Sequence, residues 1–240
     1  MSALAGLRAV RALTLDLDDT LWPVWPAIDR AEVVLHDWLR THAPATAAAF
    51  DGPPALRAVR EQVGRDHPEH AHDLSWLRLE SIRRALARAG DDPALAAPAF
   101  ALFMDHRQRV DLYPDVPAAL AALSARFPIL ALTNGNADLV RIGLGAHFVG
   151  SLGARDFGVG KPDPRFFAAA CTRLGCAPQE VLHIGDDWRL DVEGARAAGL
   201  FTAWVRRPGH PDRPSDAAPA DLEMGTLEAL VQALDAVRAA

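Results

Sequence analysis

Leu13-Thr14-Leu15-Asp16-Leu17-Asp18-Asp19-Thr20-Leu21-Trp22 is a short apolar run that stops at three carboxylates and a threonine. Val10 to Leu15 is too short for a helix and reads as a buried strand, with Asp16 and Asp18 flanking Leu17 in the alternation of a strand end. Both acids then point to one side. Like charges about 4 Å apart repel by roughly 4 kcal/mol at an effective dielectric of about 20, so the pair needs a cation, a proton or wide exposure to water. A hard divalent ion suits such an all-oxygen donor set. Taken alone, Asp-Asp-Thr is equally ordinary turn and N-cap chemistry, and the rest of the chain must decide.

Beyond Trp22 the pattern turns helical for a long stretch. Ile28, Val33, Val34, Leu35, Trp38 and Leu39 form an apolar stripe that closes before Pro44. Leu56 to Val63 and Leu74 to Ala89 read as further helices, the second stopped by Gly90, and a helix restarts after Pro93 through Phe100, Phe103 and Met104. Residues 22–109 therefore read as an inserted α-helical cap, expected to pack over the strand ends. Within it, Asp66-His67-Pro68-Glu69-His70-Ala71-His72-Asp73 matches no metal-ligand spacing and reads as a solvated loop. Trp76, Arg78 and Arg30 are candidate substrate contacts.

From Tyr113 the chain alternates helix and strand. Asp115 reads as the N-cap of a helix from Val116 to Arg126, and the run Ile129 to Leu132 ends in Thr133-Asn134-Gly135-Asn136. A helix over 137–144, a strand near Val149 to Leu152 and the loop Gly158 to Pro164 with Lys161 follow. Pro164 opens a helix that Gly175 closes. Val181 to Ile184 is a strand ending at Gly185-Asp186-Asp187, with Asp191 a turn later; Phe201 to Val205 is a strand, 206–221 a loop and Leu227 to Val237 a helix. Repeated β-α-β units predict an α/β fold with a doubly wound parallel sheet, a Rossmann-like core over 1–21 and 110–240. Ligands gather at strand carboxyl ends in such sheets, so the groups at Asp16, Thr133 and Asp186 are expected to converge.

Composition narrows the class. Hydrophobic residues make up 50% and charged residues 23% of 240, enough for a sizeable core. A net charge of −6 argues against a nucleic-acid surface, and no uncharged apolar run approaches the ~18 residues of a membrane span. Met1 to Val10 carries Arg8 and no leader-like apolar core, so a cytoplasmic location is expected. Cys171 and Cys176 fit neither a disulfide framework nor a zinc site.

Asp16-Leu17-Asp18-Asp19-Thr20, Thr133-Asn134, Lys161 and Gly185-Asp186-Asp187 with Asp191 resemble, in order and spacing, the four motifs of the haloacid dehalogenase superfamily across nearly the whole chain. The resemblance implies that Asp16 is a nucleophile forming an aspartyl phosphate and Asp18 the general acid and base. It implies that Thr133, Asn134 and Lys161 hold the phosphate. Mg²⁺ would take Asp16, the Asp18 main-chain carbonyl and Asp186, with Asp187 and Asp191 orienting these ligands. His183 is assigned no role.

An acid at position 18 favours a phosphatase, since a phosphate ester needs a counter-ion and a proton for its leaving oxygen. Asp16 to Trp22, His72 to Arg78, Ser81-Ile82, Thr133 to Ala137, Gly143-Leu144-Gly145 and His183 to Asp187 resemble bacterial FMN phosphatases, which also act on the ribityl phosphate precursor of riboflavin. Trp22 stands where Tyr or Phe is usual, a departure that bears on the substrate pocket. The expected partner is a small phosphate ester, with monomer and homodimer both open. A 2-haloacid dehalogenase and a catalytically silent binding protein are the alternatives.

Overall fold

The computed structural model describes residues 6–239. Met1 to Ala5, half of the stretch read as lacking a leader, and Ala240 lie outside the described residues. Six strands, β1 (Ala12–Leu15), β2 (Ile129–Thr133), β3 (Gly150–Gly153), β4 (Val181–Gly185), β5 (Phe201–Val205) and β6 (Leu222–Met224), form one parallel sheet in the order β3-β2-β1-β4-β5-β6. Every residue of β1, β2 and β4 is buried. Helical crossovers cover both faces of such strands, which is why they read as unbroken apolar runs. β1 pairs with β2 on one side and β4 on the other. Chain order reverses at β1, and the crevice this opens lies at the carboxyl ends of β1, β2 and β4.

The chain divides into two compact units. Among the described residues the α/β unit comprises 6–23, 112–135 and 139–239; the helical unit comprises 24–111 and 136–138. Its first portion thus starts and ends two residues later than the sequence reading places the insert. It also takes three residues from the loop after β2, because Asn136 bonds Ser75 Oγ, Met104 Sδ and Arg107 Nε, and its carbonyl accepts from Gln108.

One side of the sheet is packed by the helix Pro164–Leu174, whose Phe166, Phe167, Ala170 and Cys171 meet Leu130, Leu132 and Val181. Burial pushes the Cys171 thiol up to about 11. In the helical unit, Val24–His42, Pro53–Asp66, Leu74–Ala89 and Ala96–Arg107 bury Leu35, Leu39, Leu56, Ile82, Leu86 and Phe103. Gly90 and Gly175 end their helices in the left-handed conformation, as their positions predict.

Four local expectations are corrected. The segment 137–144 holds only the four-residue turn Leu139–Ile142, and β6 falls just past the expected loop. Asp115 does not cap its own helix; its Oδ2 accepts from the Leu227 N–H at 2.7 Å and so caps the last helix. Arg78 is only 3% exposed, ion-paired with Glu32 at 2.7 Å and stacked over Phe103, so its charge is spent within the helical unit.

Candidate active site

β1 ends at Leu15, and the Asp16 N–H continues the ladder to the Ile184 carbonyl at 2.9 Å, which fixes the Asp16 side chain at the crevice. The next residues turn tightly. Asp19 has φ 63°, a left-handed conformation that Asp tolerates better than most residues, and its N–H donates to the Trp22 carbonyl at 2.8 Å. The turn brings Thr20 back over the strand end, its hydroxyl 3.1 Å from Asp16 Oδ2 and 2.8 Å from Asp186 Oδ1. One hydroxyl proton therefore bridges two carboxylates.

Lys161 enters from the loop before the helix Pro164–Leu174. Its N–H donates to Asn134 Oδ1 and its carbonyl accepts from Asn134 Nδ2, both at 2.8 Å, so the β2 loop and the lysine loop hold each other. The buried ammonium contacts Asp16 Oδ1 and lies 2.6 Å from Asp191 Oδ1. Burial alone would lower the Lys161 pKa; Asp16 and Asp191 outweigh it and hold the lysine protonated. Thr133 Oγ1 accepts from the Gly135 N–H at 2.9 Å.

Asp191 lies within a π-helical turn, Trp188–Glu193, whose start Asp187 caps by accepting from the Leu190 N–H. The widened turn aims Asp191 inward beneath β4, and an ideal Cβ on Gly185 would sit 2.2 Å from Asp191 Cγ, so only glycine leaves room. Besides Lys161, Asp191 accepts from the Asp187 N–H at 3.0 Å and from His183 Nε2 at 3.0 Å. His183 Nδ1 lies 2.8 Å from Thr14 Oγ1. A carboxylate only accepts, so Nε2 carries the ring proton and Nδ1 accepts from the threonine. Burial lowers the His183 pKa despite Asp191, which agrees with a neutral ring. His183 and Thr14 are polar residues inside otherwise apolar strand runs, the sequence signal that marks them.

Among the described residues, Asp16, Asp186 and Asp191 form a group whose donor oxygens lie within 4.8 Å of one another. The Asp18 carboxylate is outside it; its Oδ1 accepts from Trp22 Nε1 at 2.9 Å. Trp22 is fully buried and belongs to the α/β unit. Asp187 is exposed and engaged as a cap. Asp186 also meets His210 Nδ1 at 3.2 Å, a partner the sequence reading left in a surface loop. Two of the three clustered carboxylates, Asp16 and Asp191, share the buried Lys161 ammonium. Burial pushes the Asp16 pKa well up, with Lys161 opposing and Asp191 and Asp186 adding to the rise. An oxygen-only cluster with excess negative charge fits a hard divalent cation.

A family model for haloacid dehalogenase-like hydrolases matches residues 10–199. This chain is a haloacid dehalogenase-like hydrolase. The hydrolase is 34% identical over 204 residues to a 5-amino-6-(5-phospho-D-ribitylamino)uracil phosphatase of Escherichia coli, covering 83% of this chain and 85% of that protein. It is 36% identical over 251 residues to a phosphoserine phosphatase of Thermus thermophilus, covering 91% and 96%. A 2-haloacid dehalogenase of Pseudomonas syringae superposes with a TM-score of 0.86 at 35% identity, covering 96% of this hydrolase and all of that chain. Among the described residues no helix is long and apolar enough to cross a membrane.

Proposed function

We propose that this hydrolase is a Mg²⁺-dependent phosphatase of small cytoplasmic phosphomonoesters, with a ribityl phosphate, FMN or its biosynthetic precursor, as the favoured substrate class. The observation that carries the reading is the single buried ammonium of Lys161 bound to both Asp16 and Asp191 at the carboxyl end of β1. A phosphoryl group in flight spreads negative charge over its oxygens, and a fixed cation beside the nucleophile stabilises that charge.

In this mechanism an Asp16 oxygen forms a bond to phosphorus while the ester P–O bond breaks, and the Asp18 proton passes to the departing oxygen to give the alcohol. Water then attacks phosphorus and gives a proton back to Asp18. The bond from phosphorus to Asp16 breaks, releasing inorganic phosphate. Thr133, Asn134 and Lys161 bind the phosphate oxygens, and the Asn134–Lys161 pairing keeps those two loops in register. Mg²⁺ would be held by Asp16, Asp186 and the Asp18 carbonyl. When bound it offsets the repulsion between carboxylate nucleophile and phosphate. Asp191, its oxygens already engaged by Lys161, His183 and the Asp187 N–H, acts as the anchor of Lys161.

The relative named for a ribitylaminouracil phosphate supports the substrate class, and the helical unit is where selection among esters is proposed to lie. The neighbour named as a dehalogenase favours a second reading, which an acid at Asp18 opposes. Phosphate release from p-nitrophenyl phosphate and from a panel of phosphorylated metabolites, with and without Mg²⁺, separates them. The phosphatase reading expects Mg²⁺-dependent release that Asp16→Asn removes. Metal-independent chloride release from 2-chloropropionate, with no ester hydrolysed, would overturn it.

A further inference from the structure

The group that would protonate the leaving oxygen, Asp18, has one oxygen fixed by a donor that cannot accept. Trp22 Nε1 lies 2.9 Å from Asp18 Oδ1, four residues away across the tight turn. The indole is immobile: Trp22 is fully buried, its carbonyl accepts from the Asp19 N–H, and its backbone bridges to Asp18. An indole N–H only donates, and the unprotonated oxygen of a carboxyl group is its stronger acceptor, so this bond favours the carboxyl proton on Oδ2.

The other oxygen is aimed by shape. A Cβ built on Gly135 would fall 2.3 Å from Asp18 Oδ2 and 3.2 Å from Thr133 Oγ1. Oδ2 therefore sits against the bare Cα of the β2 loop, beside the hydroxyl proposed to hold phosphate. Any side chain at 135 would push the carboxylate away.

Resting on the phosphatase reading above, we propose that Trp22 is a positioning residue for acid–base catalysis: its indole N–H locks the Asp18 carboxyl and assigns the transferable proton to Oδ2, on the Thr133 side. Phenylalanine at 22 would fill the same space without the donor. Tyrosine would supply a hydroxyl that both donates and accepts, leaving the proton free to sit on either oxygen.

The test compares leaving groups. FMN leaves as an alcohol and needs a proton, whereas p-nitrophenyl phosphate leaves as an acidic phenol and does not. In single-turnover measurements, which isolate ester cleavage from the water step that Asp18 also serves, Trp22→Phe is expected to slow alcohol release from FMN roughly ten- to a hundredfold, the scale of a lost hydrogen bond to a charged group, and to change p-nitrophenol release by less than about threefold. KM should stay level for both. Gly135→Ala should give the same leaving-group signature. Equal losses on the two esters, or none, would overturn the proposal and leave Trp22 a packing residue.

A second measurement stands apart from turnover and from the folding of any Trp22 variant. In ¹⁵N-labelled protein the chain's six tryptophans give indole N–H signals. Asp18→Ala should move one of them strongly upfield, and in a folded Trp22→Phe protein that signal should be missing. Failure of any indole signal to move would refute the contact itself. If the wild type hydrolyses no ester while the signal does move, the phosphatase reading fails and the Trp22–Asp18 lock stands.

Discussion

Arg207 grips the main-chain carbonyl of Thr20 with two nitrogens, Nε at 3.1 Å and Nη2 at 2.9 Å. The guanidinium is buried, stacks over Tyr113 and donates through Nη1 to Asp115 Oδ1 at 2.8 Å, while the other Asp115 oxygen caps the last helix. The segment after β5 is thereby tied to the turn that carries Asp18 and Asp19.

Arg207→Ala should cost about 3 kcal/mol of stability, because it empties a buried ion pair and leaves the Thr20 carbonyl short of its donors. Arg207→Lys keeps the charge but not the fork, and should recover only part of the loss. Denaturant unfolding of both variants checks this. A change below about 1 kcal/mol in Arg207→Ala would show that the grip adds nothing.

Asp191 links pH to stability. Burial would raise its pKa, but the Lys161 ammonium and the His183 hydrogen bond outweigh burial and hold it below the ordinary carboxylate range. A depressed carboxyl contributes its full stability above the unfolded pKa of about 4 and loses it as pH falls through the folded value. Wild-type unfolding midpoints should therefore drop below about pH 4, and Asp191→Asn should be less stable at neutral pH with a flatter acid limb. Parallel acid limbs for the two proteins would contradict the assignment.

His183 should remain neutral, with the proton on Nε2, from neutral pH upward, since burial lowers its pKa and both ring nitrogens are already satisfied. Long-range ¹H–¹⁵N NMR reads the tautomer directly. A ring that titrates within that range, or one protonated on Nδ1, would break the Thr14–His183–Asp191 chain. His183→Leu strands the Thr14 hydroxyl and one Asp191 hydrogen bond, and should destabilise the fold by about 2 kcal/mol.

Glu32 is 1% exposed inside the helical unit, where it pairs with Arg78 at 2.7 Å and accepts from Arg57 Nε at 2.6 Å. Burial pulls the Arg78 pKa down to about 10. Glu32→Ala would leave Arg78 buried without its acid and should cost about 3–5 kcal/mol, whereas the double change to methionines should be far milder. Hydrogen exchange should localise the damage to the helical unit, with the β1 and β4 amides still protected. Exchange rising equally in the sheet would show that the two units unfold as one.

Sequence alone determined the α/β class, the insertion of a helical unit after Trp22, and the strand ends that carry Asp16, Thr133 and Asp186. Those features follow from local patterns, namely short apolar runs, helical periodicity, and stop signals such as Gly90 and Gly175. Tertiary structure decided the rest. Thr14 meets His183 across 169 residues, Asp115 caps a helix 112 residues away, and Arg207 reaches Thr20 across 187. Such partners depend on strand order and register, which bring distant chain segments to one sheet edge and leave no local trace. β6 escaped for the same reason: three residues pairing only with β5 have no periodicity of their own. Burial likewise sent Trp22 to the Asp18 carboxylate and Arg78 to Glu32, because a polar group shut away from water must find its partner inside.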